Sequence, residues 1–416
     1  MMSYAMVARK DRSWINWLTP SYAVWFAAVY ALHVVYLEMT SGARGSIYAY
    51  AYCYACYAAI FLFSALAYCW LTPPRLSAKR TYAGGGAGAA AWMLLALGTL
   101  AYLPVLLEFR ASLLSPRTIY EQTRTGYGLY TFVSTMLLTL GYVLHLFQRK
   151  KGRVEGIAFH ALTFLLIYVH GSKGQLLTLF FFWLMHRVYA KKKKFSFRKA
   201  VWVGLLMGSA IAGIFYAFSV GIDASELLLY MTGYSDYSQN AMMVIDDPKA
   251  KIYYGELLLE GELYSRVPRA IFPDKPKDFG GFKLAQTYYP EAYALDEGAP
   301  AFGIGNTYAD FGPFAIVWIA LTSAFTGWMA SGTLRAFRKS RHPSYFLLFM
   351  FFAGVTPFSL GIGYQLPETV VLALAVAWML RLQMLPKGAW LLPRGVPFRI
   401  LPRKRQLRIG SLERSQ

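Results

Sequence analysis

The stretch GELYSRVPRAIFPDKPKDFG, residues 261–280, sets Arg266, Arg269, Lys275 and Lys277 among Pro268, Pro273 and Pro276. Each proline fixes one backbone dihedral and removes an N–H, so the segment cannot wind into a helix and loses little entropy on ordering. Its charges are held rather than dangled. A guanidinium offers a planar fork to two oxygens at once and an ammonium a compact point charge, so clustered Arg and Lys suit a polyanion, above all phosphate. Two arginines and two lysines on a stiff loop make a candidate clamp for a diphosphate. The alternative is a solvated loop whose cations pair with Asp274, Asp278, Glu260 and Glu262.

Other residues extend this chemistry. Arg110, Arg117 and Arg124 cluster upstream, Lys283 follows the loop, and Lys173 sits in the glycine-bracketed turn HGSKGQ, residues 170–175. Between two short apolar stretches an ammonium is partly desolvated unless it pairs, so Lys173 reads either as a headgroup ligand or as a lysine snorkelling at a helix end. A hydroxyl acceptor needs a carboxylate or imidazole to take its proton. Glu256, Glu262, Asp236, Asp310 and His170 qualify, and each equally suits a turn, a cap or an ion pair. Phe302, Tyr308 and Phe311 can stack on sugar faces, with Tyr237 as a further binding candidate, while Gly303 and Gly305 allow close backbone approach. The same aromatic rings can instead dock the segment onto the following helix. Asp246 and Asp247 before Pro248 read as a turn rather than a metal site.

The elements that position these residues belong in a membrane. With 56% hydrophobic residues, 17% aromatics and a mean hydropathy of +0.36, the chain is too apolar for a soluble protein of 416 residues. A span takes about 20 apolar residues, somewhat fewer with snorkelling flanks. About ten spans result, near 18–38, 47–71, 85–107, 127–147, 154–170, 175–190, 200–221, 312–333, 343–361 and 366–382. Their connections alternate in charge. One set, including QRKKGR (148–153), KKKKFSFRK (191–199), RAFRKSR (335–341) and the tail, holds about 30 of the 42 basic residues and about 3 of the 21 acidic ones. The positive-inside rule places that set and both termini in the cytoplasm. The net charge of +21 is thereby a topology signal, with anionic phospholipids as partners and no nucleic acid. The start of the chain lacks a small-residue cleavage site and reads as an uncleaved anchor.

The expected organisation is seven spans in 1–221, an outward loop over 222–311, three spans in 312–382 and a basic cytoplasmic tail over 383–416. Within the loop, residues 224–247 read as a helix with Leu, Met and Tyr on one face, and the Pro- and Gly-rich part after 272 as ordered irregular chain. Cys53, Cys56 and Cys69 all fall inside the second span, so they are packing residues and not a disulfide framework. The tyrosines of IYAYAYCYACY (47–57) read as an aromatic belt, and AGGGAGAAA (83–91) as small residues for close helix packing.

The segments YYGELLLEGELYSRVPRAIFPDKP (253–276) and FGIGNTYADFGPFAIV (302–317) resemble the Wzy-type oligosaccharide repeat-unit polymerases. So do the Gly-Ser-Lys-Gly turn and YEQTRTGYG (120–128). The resemblance implies an all-α polytopic membrane enzyme with one large extracytoplasmic loop and the glycosyltransferase C-type fold. It implies transfer of an oligosaccharide from an undecaprenyl diphosphate donor to a lipid-linked acceptor outside the inner membrane, with no cofactor, no nucleotide sugar and no metal. A chain-length regulator is a further implied partner. By position it assigns diphosphate binding to Arg266 and Arg269, with Arg124 and Lys173 beside them; Arg117 and Lys275 are further substrate ligands. Where the family pattern has Gly-Glu-x-Tyr, this chain has Asn306, which cannot act as a base and becomes a binding candidate.

The implied chemistry is physically coherent. No ATP is available outside the membrane, so a bond made there draws on a group already activated on lipid. The departing diphosphate gains charge, which preorganised cations stabilise in a partly dry site. An O-antigen ligase would use the same donor with a different acceptor, and a lipid-linked oligosaccharide transporter is the alternative of another class. Transporters are usually built from repeated halves with mid-membrane sites, whereas here the unusual charges cluster outside the spans.

Overall fold

The computed structural model of the chain describes residues 2–23, 35–36, 39, 45–76, 80–82, 87–113, 116–123, 127–148, 152–171, 173–218, 236–264, 267, 272–294, 301–353, 366–379 and 392–393. The elements are helices, apart from a two-residue antiparallel pairing of Arg80–Thr81 with Leu392–Pro393. In order they are α1 (Met2–Asp11), α2 (Ile47–Trp70), α3 (Ala87–Glu108), α4 (Pro116–Gln122), α5 (Gly128–Leu146), α6 (Arg153–Val169), α7 (Lys173–Met185) and α8 (Phe197–Phe218). The long segment between α8 and α14 supplies α9 (Asp236–Asp246), α10 (Glu256–Tyr264), α11 (Phe282–Tyr288), α12 (Pro290–Ala294) and α13 (Ile304–Phe311). Then come α14 (Ala315–Ser340), α15 (Pro343–Phe352) and α16 (Leu366–Met379).

Among the described residues, four helical stretches are long and apolar enough to cross a membrane: α2, α3, α5 and Ile304–Ser340, whose long part is α14. Helices α6, α7, α8, α15 and α16 begin at or near expected spans, with 17, 13, 22, 10 and 14 residues. The expected first span lies largely outside the described residues, as does nearly all of the tail.

Two tight seams organise the bundle: α3 lies along α5, and α2 along α14. Ala90 and Ala91 of the small-residue run are buried, and a Cβ on Gly141 of α5 would stand 3.0 Å from the Ala91 carbonyl oxygen. At the second seam a Cβ on Gly327 would stand only 2.0 Å from the Ser64 carbonyl oxygen, so no other residue permits this approach. Leu138, Phe159, Leu179, Phe337 and Phe346 are fully enclosed in the main core.

At the basic end of the bundle the Asp11 carboxylate is buried and must be paired to be tolerated. It accepts from Tyr68 Oη at 2.8 Å and from Tyr189 Oη at 2.6 Å, and Arg338 Nη2 stands 3.6 Å away. That one carboxylate ties together α1, α2, the π-turn His186–Ala190 after α7, and α14.

The segment between α8 and α14 differs from the irregular chain expected after residue 272, since α11, α12 and α13 are helical. The physical reason lies in the punctuation. FKLAQTY contains no Gly or Pro, Gly281 stands just before it, and Pro290 opens α12 at a first-turn position that needs no N–H. The helix expected over 224–247 is seen as α9; its earlier part lies outside the described residues.

Candidate functional site

Helices α9–α13 form a small domain on the N-terminal ends of α2 and α14. Its own core is Val244, Leu257, Leu284, Ala285, Phe302 and Ala309. Among the buried positions of α2, 49, 52, 53, 56, 57 and 60 follow a three-and-four spacing that makes one helix face. That face meets Ala241, Met242 and Ile245 of α9, together with Ile304 and Ile319. Tyr52 and Tyr57 are therefore not lipid-facing members of an aromatic belt. Tyr52 Oη donates to the Pro313 carbonyl at 2.9 Å and accepts from the Ile316 amide at 3.1 Å, while Tyr57 Oη lies 3.3 Å from Ser238 Oγ. Cys53 and Cys56 pack in the same interface as free thiols.

The start of α10 is fixed from a distance. Asp310 on α13, 2% exposed, accepts the backbone amides of Leu257 and Leu258, each at 2.9 Å. These are donors that a helix N-terminus leaves without intrahelical partners, and a carboxylate there also suits the helix dipole. Asp310 thus caps α10, and α10 leads into the arginine segment.

Along α10, Glu256 and Glu260 converge on Lys283 of α11. Lys283 Nζ donates to both, at 2.8 Å for Glu260 Oε1. The Lys283 hydrogen bond holds the Glu256 carboxyl below the usual carboxylate range. Burial works against the Lys283 charge, yet its bonds to the two carboxylates outweigh burial and hold its pKa above the usual value. The other Glu260 oxygen accepts the Gly280 amide at 3.0 Å, which ties the end of the proline-rich loop to α10. Inside that loop Lys275 Nζ donates to the Val267 carbonyl at 3.2 Å and lies 4.7 Å above the Phe279 ring.

Of the remaining candidates in this domain, Tyr308 packs edge-on against Tyr52 with ring centroids 5.1 Å apart, in the interface between α13 and α2. Tyr237 backs Gly303, where a Cβ would stand 3.3 Å from the Tyr237 carbonyl oxygen. Asn306 Oδ1 is buried with no hydrogen-bond partner among the described residues, beside Gly281. A buried unpaired carbonyl oxygen calls for a donor. Asp247 makes the expected turn, accepting the Lys249 amide at 2.8 Å, and additionally takes the Tyr288 hydroxyl at 2.9 Å.

His170 belongs to a second locality, the turn between α6 and α7. Its ring is 1% exposed and stacks on Tyr102 at 3.8 Å. Nδ1 faces the Leu166 carbonyl at 2.6 Å, which requires Nδ1 to carry the hydrogen, so Nε2 accepts from Ser134 Oγ at 2.9 Å. Helix α4, which carries Arg117, lies over this turn: a Cβ on Gly171 would stand 2.2 Å from the Pro116 carbonyl oxygen. Lys173 opens α7. Beneath the turn is an apolar cleft of about 400 Å3 between α6, α7 and α8, walled by Leu165, Tyr168, Leu176, Leu177, Phe180 and Leu206. Lys173 shares a register face with Leu176, Leu177 and Phe180, at i, i+3, i+4 and i+7. Arg124, Arg266 and Arg269 lie outside the described residues, as do the side chains of Arg117, Lys173 and Asp236.

Sequence comparison is decisive. The chain is 37% identical over 281 residues to proteins named O-antigen polymerase from Salmonella typhimurium and Salmonella typhi, covering 67% of this chain and 68% of theirs. The chain belongs to the O-antigen polymerase family. No family model and no solved structure matches it. As an O-antigen polymerase family member it is an enzyme of the glycosyltransferase type, built from membrane-crossing helices, and its reaction is the polymerisation of repeat units into O-antigen. Sequence reasoning missed the polymerase's long-range ties, chiefly Asp310 to α10 and Lys283 to Glu260, because residues 52 and 23 positions apart in sequence show no local pattern.

Proposed function

We propose that this chain joins undecaprenyl-diphosphate-linked oligosaccharide repeat units into polymer at the periplasmic face of the bacterial inner membrane. The observation that carries this reading is the 37% identity, over two thirds of both chains, to the Salmonella O-antigen polymerases. In the proposed step an acceptor hydroxyl oxygen attacks the anomeric carbon of the donor sugar. The bond from that carbon to the diphosphate oxygen breaks, and the diphosphate leaves with the electron pair. Arg266 and Arg269, on the segment that α10 leads into, stabilise the leaving charge by forked hydrogen bonds, with Arg124 and Lys275 as further ligands. Glu256, exposed at the α10 start, receives the hydroxyl proton. Asn306 accepts from a sugar hydroxyl. The cleft under the α6–α7 turn supports a lipid-borne substrate: an apolar chain fits its walls, and α7, which begins at Lys173, contributes three of them. No cofactor enters this scheme, because the donor already carries its leaving group.

The finer architecture belongs to the same proposal. It comprises ten spans, both termini in the cytoplasm, the large loop over 222–311 and the glycosyltransferase C-type fold. The test is to supply purified protein with a lipid-diphosphate oligosaccharide and resolve the products. A ladder of repeat units is the expected result. Transfer of a single unit onto a lipid A core would instead identify a ligase, and uptake without transfer a transporter.

A further inference from the structure

At the end of α14 opposite the candidate site, Gly332, Arg335, Ala336 and Lys339 fall at i, i+3, i+4 and i+7 and so share one face of the helix. The chain after α2 runs directly across that face. A Cβ on Gly332 would stand 2.3 Å from Pro74 Cγ, so glycine is what lets Pro74 rest on the helix. The crossing is pinned one turn earlier by Trp328, whose indole N–H donates to the Thr72 carbonyl at 2.8 Å. The result is a cavity of about 290 Å3 walled by Pro74, Arg75, Leu76, Gly332, Arg335 and Lys339.

Three cations from two elements face this cavity, and among the described residues no carboxylate lines it. Among the described residues, Arg75, Arg335 and Lys339 form no ion pair, whereas neighbouring Arg338 is turned toward Asp11. Holding three like charges together is unfavourable without an anion between them. The depth is that of a headgroup. Apolar α14 gives way to its basic end at Arg335, and Trp328, two turns nearer the membrane centre, is the residue type that concentrates at the interface.

We propose that Arg75, Arg335 and Lys339 form a discrete binding site for a phosphate group at the basic face of the membrane, carried by an anionic lipid or free in solution. Two arginines supply forked hydrogen bonds to phosphate oxygens and Lys339 a point charge. The site is separate from the candidate active site and does not depend on the proposed reaction.

The test uses the full chain in detergent, with thermal unfolding as the readout. One arm adds phosphatidylglycerol against phosphatidylcholine, and the other adds inorganic phosphate against chloride at equal ionic strength. The parent should be stabilised by the phosphate-bearing anion in at least one arm, and which arm responds identifies the source. In Arg75→Gln/Arg335→Gln/Lys339→Gln more than half of that stabilisation should vanish. A variant with the same loss of charge elsewhere, Lys192→Gln/Lys193→Gln/Lys194→Gln in the exposed run before α8, should keep it. Equal loss in both triple variants, or no stabilisation of the parent in either arm, overturns the proposal.

Discussion

Asp310 reaches across the α9–α13 domain to receive the amide of Leu257 at 2.9 Å, so the helix that leads into the arginine segment is started by a side chain from another helix. Loss of a helix cap typically costs about 1 kcal/mol, and a buried bond to a charged acceptor costs about 1.5–3 kcal/mol. Asp310→Ala should loosen α10 while leaving the membrane helices folded. Limited proteolysis within 261–280 should accelerate severalfold, with Asp310→Asn in between. Cleavage at the parental rate in Asp310→Ala would refute the cap.

Lys283 holds Glu256 below the ordinary carboxylate range through its hydrogen bond. If Glu256 takes the acceptor proton it works only when ionised, so activity falls as pH drops through its pKa. Replacing Lys283 by Met removes that bond and raises the Glu256 pKa. The acid limb of the pH–rate profile should therefore move to higher pH in Lys283→Met than in the parent. Superimposable acid limbs would exclude Glu256 as the base.

Arg266 and Arg269 should stabilise departure of the diphosphate. Lysine keeps the charge but loses the fork, and loss of a well-placed charged donor to a leaving group costs on the order of 3 kcal/mol, about a hundredfold in rate. Arg266→Lys and Arg269→Lys should each remove most polymer at unchanged membrane abundance, without rescue by divalent metal. Near-parental polymerisation by both variants would reduce the loop to a solvated lid.

Tyr308 is packed on Tyr52 in the interface that seats the α9–α13 domain, which favours docking over sugar stacking. Tyr308→Ala should lower protein level and activity together, and Tyr308→Phe should preserve both. Normal abundance with weakened use of the acceptor would return Tyr308 to the sugar site.

The proposed topology has a direct check. A cysteine replacing Ala250 should react with a membrane-impermeant thiol reagent in cells stripped of the outer barrier, and one replacing Phe195 should not. The reverse pattern would invert the protein.

Much of the architecture can be read along the chain because the signals are local. Hydropathy marks α2, α3, α5 and α14, and the buried Ala90 and Ala91 of the α3–α5 seam follow from the run at 83–91. The α9–α13 domain is harder. Gly and Pro at 280–290 look like breakers of structure, whereas Gly281 and Pro290 bound short helices between them. The five tyrosines at 47–57 resemble an interfacial belt, yet the same three-and-four spacing that buries Ala49 and Ile60 turns Tyr52 and Tyr57 inward. The types of residue needed for a phosphate site were visible in sequence. Their support was not, since Asp310, Glu260 and Lys283 act only once distant helices have met.

Helix α14 runs without a break for 26 residues, about 39 Å at 1.5 Å per residue, against a hydrocarbon layer of about 30 Å. One end adjoins α13 and the other carries Arg335 and Lys339. With Gly327 locked against Ser64, the rod cannot slide past α2. In the proposed topology it acts as a gauge: the depth at which its basic end is held would set the height at which Asp310 stands above the lipid.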